Sequence, residues 1–549
     1  MKPLSIIILI SSVFLSRSEA QSFTVDSIAY NILSTTLPYT AEVTSKFPGS
    51  YWGNIEIPEQ VTYQSKVYTV IGISTSAFEN SPGLTKVVIP NTVTFMGEWV
   101  FHDCPGLQFI SIPASLVAMG MNCFQYCVSL KGIYVDPDNP NFASVDSILY
   151  NKDITTLLTC PAARTTIEIP SSVAIIDGLA FMNSRITSLE IPNSVTIIGP
   201  MAFLQCKELS SVTIPNSVTS IQNGAFEECS KLASVVLPNS IDSIDFSTFK
   251  GCSSLTSVEI PISVTRILNM AFEGCSSLTS FTIPNSVTMI EKWVFRGCTA
   301  LEVIDIHEEI TSIGYMAFEG CTSLTKIEIP NSVTSIDHGA FENCISLDSV
   351  VLPNSITSIS SSLFYGCTGL TYIEIPNSIE EIGWDAFWGC SALQTILIPG
   401  SVETINGMAF RDCTGLTSIT CQAVIPPHLV HSDVFDGVPR SIPLYVPAES
   451  VNDYTAASVW NEFLIMTGTN SLIHNELTVW PNPVSDRLII EGAGAGVLIS
   501  VYDINGKMVI SCIVKSESEL IDFTGIPSGM YLVKVEFNGN AKNYKIIRN

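Results

Sequence analysis

Sixteen cysteines and six histidines are the residues of this 549-residue chain best suited to nucleophilic, redox or metal chemistry, and their spacing decides which use is open. Twelve of the cysteines, at 104, 127, 206, 229, 252, 275, 298, 321, 344, 367, 390 and 413, each follow a phenylalanine by three residues. A spacing repeated along the chain is architectural. These thiols are therefore expected as a buried column of small hydrophobes with weak S–H donors for turn backbone. The alternative is a staple of disulfides between neighbours. Stacked Cα atoms ~5 Å apart permit it, but side chains in a ladder point the same way rather than toward one another. Cys123, Cys160, Cys421 and Cys512 fall outside the column, and Cys413 with Cys421 is the pair whose redox state most needs checking. Zinc has no support, because no C-x2-C knuckle occurs.

The histidines lie at 102, 307, 338, 428, 431 and 474, and only His428 and His431 are close in sequence. They are either a metal pair lacking a third ligand or ordinary loop histidines, and no metal or cofactor is expected. The run Asp136-Pro137-Asp138-Asn139-Pro140-Asn141 has carboxylates at calcium-like spacing but not the ordered ligands of an EF-hand loop, and its residues are turn formers. No G-x-S-x-G elbow, H-E-x-x-H helix, phosphate loop or dinucleotide fingerprint is present. Glu308-Glu309 and Glu380-Glu381 read as solvated charge at turns. No catalytic residues are assigned, and an enzyme is not expected.

What remains is surface. Tyr365, Trp388 and Arg411 are spaced 23 residues apart, each directly after a phenylalanine, with Tyr372 and Trp384 close by in sequence. Exposed aromatics beside arginine are typical contact anchors, so these five are candidate partner-binding residues; packing under a C-terminal cap is the competing use. A second candidate is an acidic strip at outward strand positions, comprising Glu259, Glu328 and Glu374 with Glu168, Glu190 and Asp305 aligned. A merely soluble outer face would look the same.

Composition sets the class of partner. Apolar residues make up 46 % and charged residues 14 %, with 25 Lys+Arg against 51 Asp+Glu for a net −26. Such a chain fills a large core and repels phosphate backbones and anionic lipid headgroups, so nucleic acid is excluded as a partner. Residues 1–20 read as a cleavable secretory signal, with Lys2 before an apolar stretch and Ser18-Glu19-Ala20 at the cleavage point. The stretch falls short of the ~20 residues that span a bilayer.

The elements that must position these residues follow from one period. Phenylalanine recurs at 78, 101 and 124, at 181, and then from 203 to 410 at nine successive intervals of 23. A fixed period of this length means a stacked-coil architecture. The inward set is illustrated by Leu255, Val258, Ile260, Val264, Ile267, Ala271, Phe272 and Cys275. Leu255-x-x-Val258-x-Ile260 predicts a strand stopped at Pro261, and Val264-x-x-Ile267 a second, shorter one. The segment around Ala271-Phe272 suits about one helical turn. No coil buries its apolar side alone, so coils must stack ~4.8 Å apart into a solenoid.

Ile-Pro-Asn-Ser-Val-Thr-Ser-Ile at 214–221, followed by Ala-Phe-x-x-Cys-x-x-Leu at 225–232, resembles the BspA-like leucine-rich repeats of bacterial surface proteins. His307 in place of Pro, Asp242 and Glu380 in place of Thr, and the interrupted period at 133–168 depart from the pattern. After about residue 470 the composition turns nearly neutral. Trp-Pro-Asn-Pro-Val-Ser-Asp at 480–486, Val-Tyr-Asp-Ile-Asn-Gly-Lys at 501–507 and Gly-Met-Tyr-Leu-Val at 529–533 are similar to the C-terminal sorting domain of the Bacteroidetes type IX secretion system. Its motif positions are Pro481, Asn482, Pro483, Asp486, Asn505, Gly506, Gly529 and Tyr531. That likeness implies engagement with secretion and tail-processing machinery, passage across the outer membrane, tail removal, and release or attachment at the surface.

The expected fold is mainly β: a leucine-rich-repeat solenoid of 23-residue coils with N- and C-terminal caps, then a small antiparallel β-sandwich. The expected boundaries are a signal peptide at 1–20, an N-terminal β cap and first coil at 21–76, repeats at 77–425, a C-terminal cap at 426–466, a linker at 467–475 and the sorting domain at 476–549. The expected function is an adhesin-like exported protein that binds a protein or glycan. A structural envelope or matrix protein is the alternative, and a glycan-acting enzyme would need a carboxylate pair that is not found.

Overall fold

A computed structural model describes residues 21–46, 49–467 and, in the tail, 478–480, 487–491, 498–503, 507–513, 518–524, 526–537 and 540–548. Residues 1–20, expected to be a signal peptide, lie outside the described residues. Each repeat makes one coil with three runs. In the coil that begins at Leu324, Lys326–Glu328 is a three-residue strand whose central Ile327 is buried while its neighbours face out. It pairs in parallel with Ser349–Val351 of the next coil, 23 residues on. The second run is the two-residue strand Ser335–Ile336, paired in parallel with Ser312–Ile313. Proline after the long strand removes a ladder N–H and turns the chain, which keeps these strands short.

The third run is not the helical turn expected around Ala271-Phe272. Its N–H groups alternate between two directions. Those of Met270, Phe272 and Gly274 donate to Lys292 O, Val294 O and Arg296 O of the next coil, at 3.1, 3.1 and 2.7 Å, while those of Ala271, Glu273 and Cys275 close local turns at 3.1–3.2 Å. Alternation requires left-handed backbone on either side of the phenylalanine, here Met270 at φ 61° and Gly274 at φ 73°. The second position is glycine in many coils because glycine, lacking a Cβ, adopts left-handed backbone without a steric penalty. All three runs are thus hydrogen-bonded along the stacking direction.

Inside, the phenylalanines form a spine. Phe203 and Phe226 stack with centroids 5.0 Å apart and planes 2° apart, and similar offset stacks continue without a break to Phe410. The spine extends beyond the 23-residue series at both ends. Tyr51 lies 4.6 Å from Phe78, and Phe435, displaced by 25 residues, stacks 5.4 Å from Phe410. Trp460 and Phe463 then meet Phe435 edge-on and close the core. They flank the end of a cap comprising the helix Val451–Ala456 and a last parallel strand, Leu464–Thr467. At the other end, the antiparallel strands Ser22–Val25, Ile28–Ser34 and Thr40–Thr44 run into Lys66–Ile73, which starts the ladder of short strands.

The interrupted period holds an antiparallel hairpin, Phe142–Val145 with Ile148–Asn151. Successive side chains of a strand face opposite ways. Leu149 accordingly packs into the N-terminal core, which runs from Phe23, while Ile148 and Tyr150 pack into the C-terminal core, which runs to Phe463. The hairpin strand is a partition between two stacks. In the tail, Arg487–Glu491 pairs antiparallel with Thr478–Trp480 and Ser518–Asp522. Leu498–Asp503 pairs antiparallel with Met508–Ile513 and Gly529–Phe537. Leu488, Ile499, Val501, Phe523 and Val533 form a separate small core.

Candidate functional site

The twelve column thiols are buried and form no disulfide with one another. Each donates to the carbonyl of the spine phenylalanine one coil back, from Cys104 to Phe78 O at 3.0 Å through Cys413 to Phe387 O at 3.1 Å. That carbonyl also accepts an N–H, as Phe249 O does from Cys252. Burial pushes the Cys298 and Cys344 thiols up to about 12, so these two carry little thiolate. Buried Ser81 and Ser184 occupy the same position where cysteine is absent. Cys413 and Cys421 are not bonded to one another, and the Tyr454 hydroxyl donates to Cys421 Sγ at 3.0 Å.

Asn139 is fully buried in the 136–141 loop. Its amide donates to Pro113 O at 2.7 Å and Leu116 O at 2.9 Å, and its Oδ1 accepts from the N–H of Asn141 and Phe142. The Lys152 ammonium donates to Pro137 O and Asn139 O at 3.0 and 2.5 Å, and Asp136 Oδ1 caps the N–H of Asp138. These bonds give the loop a structural job, pinning the hairpin to the coil before it. His428 is in a short strand, and His431 meets the Trp384 ring edge-on at 4.9 Å. Among the described residues, no group of three His, Cys, Asp or Glu could hold a metal ion.

The residues directly after the spine phenylalanines stack into one edge. Lys250 Nζ lies 3.2 Å from Glu273 Oε2, and Arg296 bridges Glu273 at 3.7 Å and Glu319 at 2.6 Å. Glu342 follows next to Glu319. Burial, and then the Glu319 charge, push its carboxyl above the ordinary range. Beyond it the charge ladder becomes aromatic. Tyr365 meets Trp388 edge-on at 5.3 Å, the Arg411 guanidinium lies 4.9 Å over the Trp388 ring, and the Trp388 indole donates to Asp412 Oδ2 at 3.0 Å. The sequence places Tyr365, Trp388 and Arg411 side by side, and the structure does the same.

Two other candidates go elsewhere. Trp384 lies over Gly407, where any Cβ would strike its ring at 2.4 Å, and its ring partner is His431. Tyr372 stands on the long-strand face, 47 % exposed, beside Glu374. On that face Glu259, Glu328 and Glu374 are exposed, but the acidic strip is not continuous: Glu259 pairs with Val236, and Val351 separates Glu328 from Glu374. Lys326 also sits 2.5 Å from Glu328. The sequence reading missed Asp412 and Asp385. Burial, then Asp433, pushes the Asp385 carboxyl up, and Arg411 opposes the shift. Their signal was the left-handed positions flanking the phenylalanine, which only the fold reveals. Of the sorting-motif positions, Gly529 and Tyr531 belong to the strand Gly529–Phe537, and the Tyr531 hydroxyl donates to Pro527 O at 2.7 Å. Pro481, Asn482, Pro483, Asp486, Asn505 and Gly506 lie outside the described residues.

Comparison with known proteins agrees with this architecture. The model of the BspA type leucine rich repeat region matches residues 44–161, 159–278, 242–371 and 334–426, and that of the secretion system C-terminal sorting domain matches 478–549. Among solved structures, the chain is similar to a leucine-rich repeat protein from Bacteroides ovatus, with 25 % identity, 81 % of this chain and 100 % of that one covered, and a TM-score of 0.47. It is also similar to a leucine rich cell surface protein from Faecalibacterium prausnitzii, with 27 % identity, coverage of 73 % and 94 %, and a TM-score of 0.38. Among curated proteins, none matches.

Proposed function

The chain belongs to the family of BspA-type leucine-rich-repeat proteins, and from that premise we propose that it is an adhesin-like binding protein that recognises a protein or glycan partner through its rigid solenoid. Its sorting domain marks it for type IX export to the outer cell surface, and among the described residues no helix is long and apolar enough to cross a membrane. The fold is that of a repeat protein, and we infer no catalytic role.

One observation carries the reading: Tyr365, Trp388 and Arg411 converge on the edge of three consecutive coils, with Asp412 fixing the indole. Rings held by a rigid framework contact a partner at little entropic cost, and a guanidinium beside them suits a sugar ring or a partner's aromatic. The test is Trp388→Ala in the full chain, assayed for binding to host and microbial surface glycans and proteins. Loss of roughly 2 kcal/mol or more of binding is expected, against well under 1 for Glu259→Ala. Melting is followed in parallel. If Trp388→Ala lowers the melting temperature strongly while leaving affinity unchanged, the column is only the end of the inter-coil ladder and the protein is better read as a structural envelope component.

A further inference from the structure

At the opposite end of the solenoid, three neighbouring long strands, Leu84–Val88, Phe109–Ile112 and Gly132–Val135, form a parallel patch within a four-stranded sheet. Their outward positions hold Lys86, Val88, Phe109, Ser111 and Tyr134. The fourth strand of the sheet, Gly53–Glu56, adds Asn54 opposite Lys86 and the exposed Glu56 opposite Val88, so the Glu56 carboxylate lies on the side of the sheet away from Tyr134. Phe109 is 40 % and Tyr134 47 % exposed, and their rings lie 6.1 Å apart at 34°. Lys86 is directly opposite Phe109 on one side, and Gly132 on the other. Gly132 makes the platform continuous: a Cβ there would meet the Tyr134 ring and hydroxyl at 3.2–3.3 Å. Lys131 places its ammonium 5.9 Å from the Phe109 centroid and bonds only the neutral Gln108 amide, at 3.1 Å. Neither lysine has an ion pair among the described residues, in a chain of net charge −26.

We propose that this face is a binding site for a carboxylated glycan, with sugar rings lying on Phe109 and Tyr134 and the carboxylate held by Lys86 and Lys131. An added peptide strand has nowhere to pair beside Phe109 or Tyr134. The Phe109–Ile112 strand is bonded on both sides, and the outer edge of Gly132–Val135 is closed by the hairpin, Ile133 N–H donating to Ser147 O and Val135 N–H to Ser144 Oγ. Recognition must therefore come from side chains: exposed ring faces for the C–H face of a sugar, two ammonium groups for an anion, and hydroxyl-binding groups. The last line a shallow cleft beside Tyr134, formed by Asn91, Ser111 and Asp136. Three strands span about 10 Å, a length suited to a short oligosaccharide segment. Further along the same run of long strands, the outward Glu190, Glu259, Asp305 and Glu328 repel the ligand and confine it to this end.

The site is separate from the Trp388 edge, and its test fails separately. The full chain is titrated with hexagalacturonate, a hyaluronan hexasaccharide and sialyllactose, with methyl-esterified hexagalacturonate and a glutamate hexapeptide as controls. At least one carboxylated glycan should bind with an affinity that falls as salt rises. Lys86→Ala with Lys131→Ala, and separately Phe109→Ala, should each weaken it at least about tenfold, and esterification by a similar factor where the uronate is the ligand. All replaced side chains are exposed, so melting should not move, and Trp388→Ala should leave this binding intact. Failure of all three glycans to bind overturns the proposal. So does binding that is indifferent to Phe109→Ala or to the lysine pair, or a glutamate peptide that binds as tightly as the best glycan.

Discussion

Replacing Phe318 with alanine tests whether the spine couples the coils or merely fills them. The ring is fully buried, with Phe295 and Phe341 each 5.4 Å away and their planes within 12° and 6°. Truncating a buried phenylalanine costs roughly 3–5 kcal/mol through lost transfer and the cavity left behind. Both neighbouring rings also lose an offset stack, each worth about 0.5–1.5 kcal/mol beyond its area. Relaxation is limited, because the backbone here is tied in both directions: Phe318 N–H donates to Ala340 O, and Phe295 N–H to Ala317 O. A cost in the upper half of that range, about 4–5 kcal/mol, is expected. A repeat protein is held by nearest-neighbour interfaces, so the loss should fall on the junction. Hydrogen exchange resolved by residue should show protection dropping in the coils of Phe295, Phe318 and Phe341 and holding near Phe203. A cost below about 2 kcal/mol, or a uniform loss of protection along the solenoid, would refute the coupling argument.

The thiol column predicts alkaline sensitivity. Below the ordinary thiol value of 9.0 both folded and unfolded thiols are protonated, but above it the unfolded thiols ionise while Cys298 and Cys344 stay protonated up to about 12. Stability is therefore full below 9 and lost between 9 and about 12, and Cys298→Ser with Cys344→Ser should flatten the fall in melting temperature over that window. Alkylation should track unfolding, and mass mapping that finds Cys252 bridged to Cys275 would contradict it. Asn139→Ala leaves Pro113 O, Leu116 O and two loop N–H groups without their partner, so roughly 2–4 kcal/mol should be lost from the N-terminal stack, measured by denaturant titration. A chain ending at Thr469 should melt like the full chain but fail to reach the cell surface in a type IX host, and wild-type display of it would sink the sorting assignment.

Much of this fold was legible because its core repeats in type as well as position. Phe272 and Cys275 recur at one interval, and a period of that kind has few packed solutions. The ends of the spine were not legible: Tyr51 precedes Phe78 by 27 residues and Phe435 follows Phe410 by 25, so both fall out of register while their rings stay in the stack. The third run was misjudged as a helical turn because left-handed positions are held by residues that do not advertise them, such as Met270 and Trp293. Inter-coil pairing, which no local propensity encodes, outweighs the cost there. Of the candidate site, the column Tyr365, Trp388 and Arg411 follows from counting, whereas Trp384 departs because Gly407 leaves room for its ring on another run. The pairing of Phe109 with Tyr134 was hidden by the irregular repeat, in which Asp136 stands where a strand-ending proline is otherwise found.

A solenoid turns every sequence position into a column, and the fate of a column depends on whether its members satisfy one another. Phenylalanine stacks on phenylalanine, each column thiol bonds the carbonyl one coil back, and threonines such as Thr219 and Thr334 bond the backbone of the coil before them. The charges from Lys250 to Glu319 likewise neutralise their neighbours. Such columns stabilise the stack, and a change in one member is felt by both neighbours. Lys86, Phe109 and Tyr134 are of the other kind: Lys86 lies opposite Phe109, Tyr134 lies diagonal to it, and all three are exposed and incompatible with mutual neutralisation. Outward positions of this kind carry no inter-coil bond, so their chemistry can be altered without cost to the core. Recognition should therefore reside where a column stops satisfying itself, at Phe109 and Tyr134 on one face and at Trp388 where the charge ladder turns aromatic.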